Sequence, residues 1–191
     1  MPAIIAALVA YLVGSISTAV IVCRVMGLED PRTTGSKNPG ATNVLRLGGK
    51  LPAALTLLGD ALKGLLPVVI TAMITQHPPT IALAAIAAFL GHVYPIFFDF
   101  EGGKGVATAF GALFGIDLTV GLLAILTWVA TTLVFRMSSL AALLTFLLVP
   151  IYLLTSGKTI FAAGYLLIGL VLFYRHRANI QRILSGTEPK L

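Results

Sequence analysis

Long apolar stretches alternate with short polar segments along the whole chain, and this alternation most constrains its fold. Hydrophobic residues make up 58% of the 191 residues and charged residues only 10%, which lies outside the range of soluble domains. The sequence therefore predicts an all-α polytopic membrane protein with a single domain over residues 1–191. Its one cysteine, Cys23, allows no internal disulfide.

Seven apolar segments are candidate membrane spans, since a span needs about 20 residues. They are Ala3–Val22, Leu51–Thr75, Ile81–Phe98, Val106–Gly115, Leu118–Phe135, Leu140–Leu154 and Ile160–Tyr174. The first follows no Lys or Arg and is too long for a signal peptide, so we expect a retained helix. The fourth is short, while the fourth and fifth together are too long for one span. Six spans and seven spans therefore compete.

The distribution of Lys and Arg favours seven spans. With seven, the basic residues outside the helices fall on one side, except Lys158, and Lys63 lies within the second helix. We predict Met1 outside and Leu191 in the cytoplasm. The predicted cytoplasmic parts are loops 24–50, 99–105 and 136–139 and the tail 175–191.

A glycine-rich segment precedes the short fourth helix. An 11-residue helix rises only about 16 Å, roughly half the hydrocarbon thickness, so this loop must dip toward the bilayer or the membrane must thin. The residues are Gly102, Gly103, Lys104 and Gly105, here called the glycine loop, followed by Val106, Ala107 and Thr108. Backbone N–H groups, a helix start and one lysine together suit a phosphate. The pattern is neither a Walker A motif nor a dinucleotide fingerprint, and a flexible membrane turn is the alternative.

A second polar segment, residues 35–46, is here called the first loop. Its candidate ligands are hydroxyls, amides and one guanidinium, supplied by Ser36, Asn38, Thr42, Asn43 and Arg46, with a tight turn at Pro39-Gly40. The alternative is a solvated connector that caps the next helix.

Ionisable residues also occur within the predicted spans. Asp60 and Lys63 lie three residues apart, hence on one helix face. Such groups mark either a site or an internal ion pair, and both readings stay open. His92 is more typical of a hydrogen-bonded structural residue than of a catalytic base. With no other ligand at metal-binding spacing, we expect no metal site, and Phe97 stands where a His-x4-Asp acyltransferase needs aspartate.

Two cytoplasmic segments complete the candidate site. Ser138 and Ser139 form a turn after Arg136, and His176 and Asn179 lie at helical spacing in the basic tail. A tail of this charge can also serve only as an anchor on anionic lipid.

Together the motifs resemble the bacterial integral-membrane glycerol-3-phosphate acyltransferases that use acyl-phosphate as donor, over nearly the whole chain. The matching motifs are Gly35-Ser36-x-Asn38-Pro39-Gly40-x-x-Asn43-x-x-Arg46, Gly59-Asp60-x-x-Lys63-Gly64, His92-x-x-Pro95 before the glycine loop, and His176-x-x-Asn179-Ile180-x-Arg182.

The resemblance implies acyl transfer to the 1-hydroxyl of glycerol-3-phosphate, giving lysophosphatidate and phosphate at the cytoplasmic face of the bacterial inner membrane. This is the first step of phospholipid synthesis. It implies catalytic roles for Lys104, Arg46, Ser36, Asn179 and His176. It implies substrate contacts for Gly102, Gly103, Gly105, Val106, Ala107, Thr108, Asn38, Gly40, Thr42, Asn43, Asp60, Lys63, His92, Ser138 and Ser139. We expect a monomer in the lipid bilayer that needs no cofactor, metal or nucleic acid.

The donor also bears on mechanism. Acyl-phosphate is an activated mixed anhydride, so no enzyme nucleophile is required. A phosphate with a second pKa near 6 can accept the hydroxyl proton, and we favour it over His92. The alternatives from other classes are a small transporter or channel for phosphorylated solutes and a non-catalytic lipid-binding subunit.

Overall fold

The computed structural model describes residues 2–190, which form ten α-helices and one 3₁₀ turn, with no β-strand in that range. The elements are α1 Pro2–Gly14, α2 Thr18–Val25, α3 Ala41–Gly48, α4 Lys50–Ile74, α5 Pro78–Val93, the 3₁₀ turn Ile96–Phe98, α6 Val106–Ile116, α7 Leu118–Phe135, α8 Ser138–Thr155, α9 Thr159–Arg175 and α10 Arg177–Leu184. Met1 and Leu191, on which the predicted positions of the termini fall, lie outside the described residues.

Five stretches are long and apolar enough to cross a membrane. They are α1 with α2, α4, α5 with the 3₁₀ turn, α7, and α8. Helices α9 and α10 meet at a bend of 64° and form a sixth candidate if the pair is one span, while α6 is apolar but has only 11 residues. The all-helical membrane architecture is confirmed, and the count of seven spans stays a prediction.

The first predicted helix is wrong in one respect, because it is interrupted. α1 ends at Gly14 and α2 begins at Thr18, with Ser17 in an extended conformation. Ser15 Oγ donates to Tyr11 O at 2.8 Å, and Lys63 Nζ donates to Ile16 O at 2.8 Å. These side chains give the backbone carbonyls of Tyr11 and Ile16 hydrogen-bond partners other than the N–H groups of a continuous helix.

The first loop is also more ordered than predicted, since its second half forms α3. Gly40 is the N-cap residue of this helix, and Val44 is completely buried against Ala19, Cys23 and the half-buried Leu28. Contact with α2 therefore stabilises a short helix whose Gly, Pro and Asn content suggested a loop.

Small residues let several helices approach closely. A Cβ atom on Gly14 or Gly91 would overlap backbone atoms across the α1–α5 contact. A Cβ atom on Gly64 or Gly111 would do the same across the α4–α6 contact. Such small-residue interfaces are typical of packing in membranes, where van der Waals contact rather than apolar burial drives association. They bring the start of α6 against α4.

An aromatic core joins α5, α6, α8 and α9. Phe110 packs edge-on against Phe146 with 5.0 Å between ring centroids, and Tyr165 Oη donates to Ala109 O at 2.8 Å. The outer surface instead presents large apolar side chains such as Met73 and Leu133, 82% and 75% exposed. This surface suits a lipid environment.

Candidate active site

The glycine loop is seated on the end of α5 with no room for side chains at its glycines. A Cβ on Gly102 would overlap His92 O, and one on Gly103 would overlap the His92 ring. Gly105 has φ +85°, and a Cβ there would overlap the Phe89 ring. Val106 then begins α6. The sequence uses glycine here because the loop backbone touches other groups and bends into the left-handed region.

Lys104 projects from this loop toward the C-terminal segment. Its Nζ donates to Asn179 Oδ1, and the carboxylate of Glu188 lies within electrostatic reach. Burial lowers the pKa of the Lys104 ammonium to about 8, with Arg182, Arg175 and Arg46 acting in the same direction and Glu188 opposing them. Lys104 therefore lies in a positively charged neighbourhood that an anion would neutralise.

Glu188 connects the C-terminal tail to the turn at Ser138 and Ser139, close to Lys104. Its carboxylate accepts from Ser139 Oγ at 2.5 Å, from Asn179 Nδ2 at 2.6 Å and from Arg182 Nε at 2.7 Å. Burial alone would raise the pKa of Glu188, but these hydrogen bonds outweigh it and lower the pKa. Sequence reasoning missed Glu188 as a site residue. The available signal is that it is the one carboxylate in the basic tail 175–191.

Arg175 ties the bend between α9 and α10 to the glycine loop, and His176 lies at that bend. His176 is buried, and its Nδ1 lies 2.8 Å from Leu172 O. If Nδ1 carries the proton, as that carbonyl requires, Nε2 is left as an acceptor. Arg175 donates to Gly102 O at 2.7 Å. Arg175 was not among the predicted site residues, because a basic residue at a helix end is also a common lipid anchor.

The first loop is held together by one side chain. Asn43 Nδ2 donates to Pro31 O and Thr34 O, both at 3.0 Å, and Asn43 Oδ1 accepts from Ser36 N at 2.9 Å. A Cβ on Gly35 would overlap this amide. All the described hydrogen bonds of Asn43 thus go to loop backbone, so it braces the loop, and its contact with substrate stays a prediction.

Other predicted residues of the first loop face outward. Ser36, Thr42 and Arg46 are exposed, and Asn38 and Gly40 are half-buried. The two loops meet where a Cβ on Gly103 would lie 2.9 Å from Pro39 O. Arg46 is therefore on the same side of the molecule as Lys104 and within electrostatic reach of it.

Some of the remaining predicted residues are half-buried at the surface, and the others are buried in the interior. Val106, Ala107 and Ser138 are half-buried, while Thr108 is fully buried in the first turn of α6 with its Oγ1 unbonded among the described residues. Asp60, Lys63 and His92 are buried together beneath the glycine loop, and their contact with substrate stays a prediction. Within residues 2–190, no group of three His, Cys, Asp or Glu side chains could hold a metal ion.

A family model described as glycerol-3-phosphate acyltransferase matches residues 4–186. The chain belongs to this family. It is 55% identical over 183 residues to the glycerol-3-phosphate acyltransferase of Methylococcus capsulatus, covering 95% of this chain and 92% of that one. It is 54% identical over 184 residues to that of Thioalkalivibrio sulfidiphilus, covering 95% and 90%. The resemblance inferred from the motifs is thereby confirmed.

The fold is similar to that of a solved family member. The crystal structure of PlsY, an integral membrane glycerol 3-phosphate acyltransferase, in its glycerol 3-phosphate form aligns with a TM-score of 0.96 and 36% identity, covering 100% of this chain and 96% of that one. Its lysophosphatidic acid form aligns with a TM-score of 0.93 and 35% identity. This acyltransferase family therefore includes a solved membrane protein of the same helical architecture.

Proposed function

We propose that this chain transfers a fatty acyl group from acyl-phosphate to the 1-hydroxyl of glycerol-3-phosphate. The hydroxyl oxygen forms the new ester bond to the acyl carbon, and the bond from that carbon to the phosphate oxygen breaks. Lysophosphatidate and inorganic phosphate are the products. The observation that carries the proposal is the convergence of the glycine loop, Lys104, Arg46 and the α10 segment, because two phosphate-bearing substrates need two cationic cradles.

We assign the donor phosphate to the glycine loop. The loop precedes the N-terminus of α6, where unbonded N–H groups and the helix dipole favour an anion. Lys104 adds a formal charge beside them. As the carbonyl–phosphate bond breaks, negative charge grows on the leaving phosphate, and these donors stabilise it in place.

We assign the acceptor, glycerol-3-phosphate, to the side of the site formed by the first loop, α8 and α10. Exposed Ser36 and Arg46 approach from the first loop, while Ser139, His176 and Asn179 line the side formed by α8 and α10. Arg46 can bind a phosphate with two parallel hydrogen bonds. Holding both substrates together turns a bimolecular reaction into an effectively unimolecular one.

The hydroxyl proton passes to a substrate phosphate in this mechanism. The mixed anhydride is already activated, so no acyl-enzyme is formed. His92 is a poor candidate for the base because it is 6% exposed, its Nδ1 faces Asp60 and its ring packs against Gly103.

Contacts between loops support seven spans with all the site loops on the cytoplasmic side. Arg175 bonds to Gly102, and Ser139 bonds to Glu188, so the turn 136–139, the glycine loop and the tail lie together. A six-span chain would place Gly102 and Arg175 on opposite sides. Reporter fusions at Ile116 and Ser138 test this, and signals from the same side would contradict it. We propose a monomer in the bacterial inner membrane.

A direct assay tests the proposed reaction. Purified protein is mixed with acyl-phosphate and glycerol-3-phosphate, and phosphate and lysophosphatidate are both measured. We expect equal amounts of the two products, with phosphate release dependent on the acceptor. Uptake of a phosphorylated solute into vesicles without lysophosphatidate would favour the transporter alternative. Neither product nor uptake would favour a lipid-binding subunit.

A further inference from the structure

Three ionisable side chains form a buried cluster on the membrane side of the glycine loop. Asp60 and Lys63 belong to α4, His92 belongs to α5, and they are 2%, 6% and 6% exposed. Lys63 Nζ lies 2.8 Å from Asp60 Oδ1, and His92 Nδ1 lies 3.5 Å from the same oxygen. The three residues thus form one connected network between two helices.

One end of this network is fixed to the interruption in the first span. Lys63 Nζ donates to Ile16 O at 2.8 Å, a carbonyl located between α1 and α2. On the neighbouring turn of α4, a Cβ on Gly59 would overlap the side chain of Thr18, the first residue of α2. The break in the first span and the ion pair on α4 therefore fit each other closely.

The other end of the network touches the glycine loop. The His92 ring occupies the space that a side chain on Gly103 would need, and the backbone carbonyls of His92 and Val93 do the same for Gly102. Gly103 in turn faces Pro39 O of the first loop. The His92 ring therefore lies against the glycine loop where that loop meets the first loop.

Helix α4 also supports the helix that follows the loop. A Cβ on Gly64 would overlap Thr108 O in the first turn of α6, and one on Gly111 would overlap Ala61 O. Asp60 and Lys63 immediately precede Ala61 and Gly64 along the chain. The network and the contact with α6 therefore lie on the same part of α4.

We propose that Asp60, Lys63 and His92 are positioning residues that link the break in the first span to the glycine loop and fix where its N–H groups and Lys104 lie. This positioning role takes the place of the substrate contact predicted for the three residues, since each is buried beneath the loop. Net stability is a weak explanation for the pair, since apolar residues of similar volume often stabilise as well as a buried ion pair. The inference rests on the proposed function only for its effect on catalysis.

The test is hydrogen–deuterium exchange on the full substrate-free chain in detergent. The main variant is the double substitution Asp60→Asn/Lys63→Met, which removes both charges together and leaves neither unpaired. We expect exchange in peptides covering residues 100–108 to rise by about tenfold, while peptides covering 118–155 are unchanged. Thr56→Val is the matched control, because Thr56 is a buried polar residue on α4 outside the network. It should leave both regions unchanged.

Kinetics of the same variants supply the second readout. We expect the KM for acyl-phosphate to rise by about tenfold, with the KM for glycerol-3-phosphate within about threefold of wild type. Unchanged exchange at 100–108 in the folded double variant, or an equal rise across 118–155, would overturn the positioning role. Because exchange needs no turnover, a wild-type chain that lacks acyltransferase activity would refute the proposed function and leave this inference standing.

Discussion

The glycine loop and the first loop both contain glycine and basic residues but are held in different ways. The glycine loop is seated so closely on α5 that a Cβ at Gly102, Gly103 or Gly105 would overlap its neighbours. The first loop depends on the side chain of Asn43 and presents Arg46 to solvent. A seated backbone suits electrostatic stabilisation by preorganised donors. An exposed guanidinium suits the capture of a diffusing anion. In the proposed reaction, the glycine loop would be a fixed donor site and the first loop a more adaptable acceptor site.

The largest expected effect comes from removing the cation of the fixed site. Lys104→Ala should lower kcat/KM by about 10³-fold, at the upper end of what loss of one transition-state donor costs, while the protein still folds. Phosphate release by detergent-purified protein measures it. Lys50→Ala, at an exposed lysine at the start of α4, is the control and should keep its activity. Activity of Lys104→Ala within a factor of about 3 would contradict the assignment.

Gly105 is compared with Gly49, because both have positive φ, +85° and +82°, but only Gly105 lies against another side chain. A Cβ on Gly105 would overlap the Phe89 ring, whereas one on Gly49 would meet nothing within 4 Å. The two alanine variants differ in backbone cost, because Gly105 has ψ 3°, in the left-handed helical region, whereas Gly49 has ψ −163°, in a region that is essentially restricted to glycine. We expect Gly105→Ala to lose about 10²-fold in kcat/KM through displacement of the loop.

Gly49→Ala should stay within about threefold of wild type in the same assay. Thermal unfolding of both variants measures how much each substitution destabilises the fold, so that a loss of activity can be compared with a loss of stability. Equal activities in the two variants would mean that the close packing of the glycine loop against α5 has no role in catalysis.

The first loop should respond differently to substitution. Asn43→Ala removes the bonds to Pro31 O, Thr34 O and Ser36 N, so the loop loosens without losing Arg46. We expect the KM for glycerol-3-phosphate to rise by about tenfold and kcat to change less. Thr33→Ala, at an exposed position outside the predicted site, should change neither. A selective rise in the KM for acyl-phosphate would reverse the assignment of the two loops.

The smallest expected effect is a pH dependence set by Lys104. Its pKa of about 8 means that the ammonium loses its proton as pH rises through that value. Because kcat/KM reports the free enzyme, it should fall above about pH 8. In the pH profile of kcat, the corresponding decrease should occur at higher pH, since a bound phosphate stabilises the ammonium. A kcat/KM that stays constant up to pH 10 would show that the charge of Lys104 does not contribute to catalysis.

The sequence predicted the apolar segments and the polar motifs because both are local patterns. Hydropathy located α4 to α9, and glycine content located the loop before α6. The family resemblance identified Lys104 and Asn179, which the structure brings into contact although they lie 75 residues apart. These predictions needed no knowledge of how distant segments meet.

The features that sequence reasoning missed depend on distant partners. The break at residues 15–17 is stabilised by Lys63, 47 residues away, and no local pattern near Ile16 announces it. Glu188 becomes part of the site only because the bend after α9 returns the tail to Ser139 and Asn179. Helix α3 forms because Val44 is buried against α2. Each of these is a tertiary effect that overrides local composition.

The most direct test of the account is a crystal structure of this protein with a non-hydrolysable acyl-phosphonate in place of the donor. The account predicts phosphonate oxygens about 2.7–3.2 Å from backbone N–H groups of the glycine loop and from Lys104 Nζ. It also predicts that Arg46 remains free to take the acceptor. A phosphonate bound to Arg46 and the first loop, with the glycine loop empty, would contradict it.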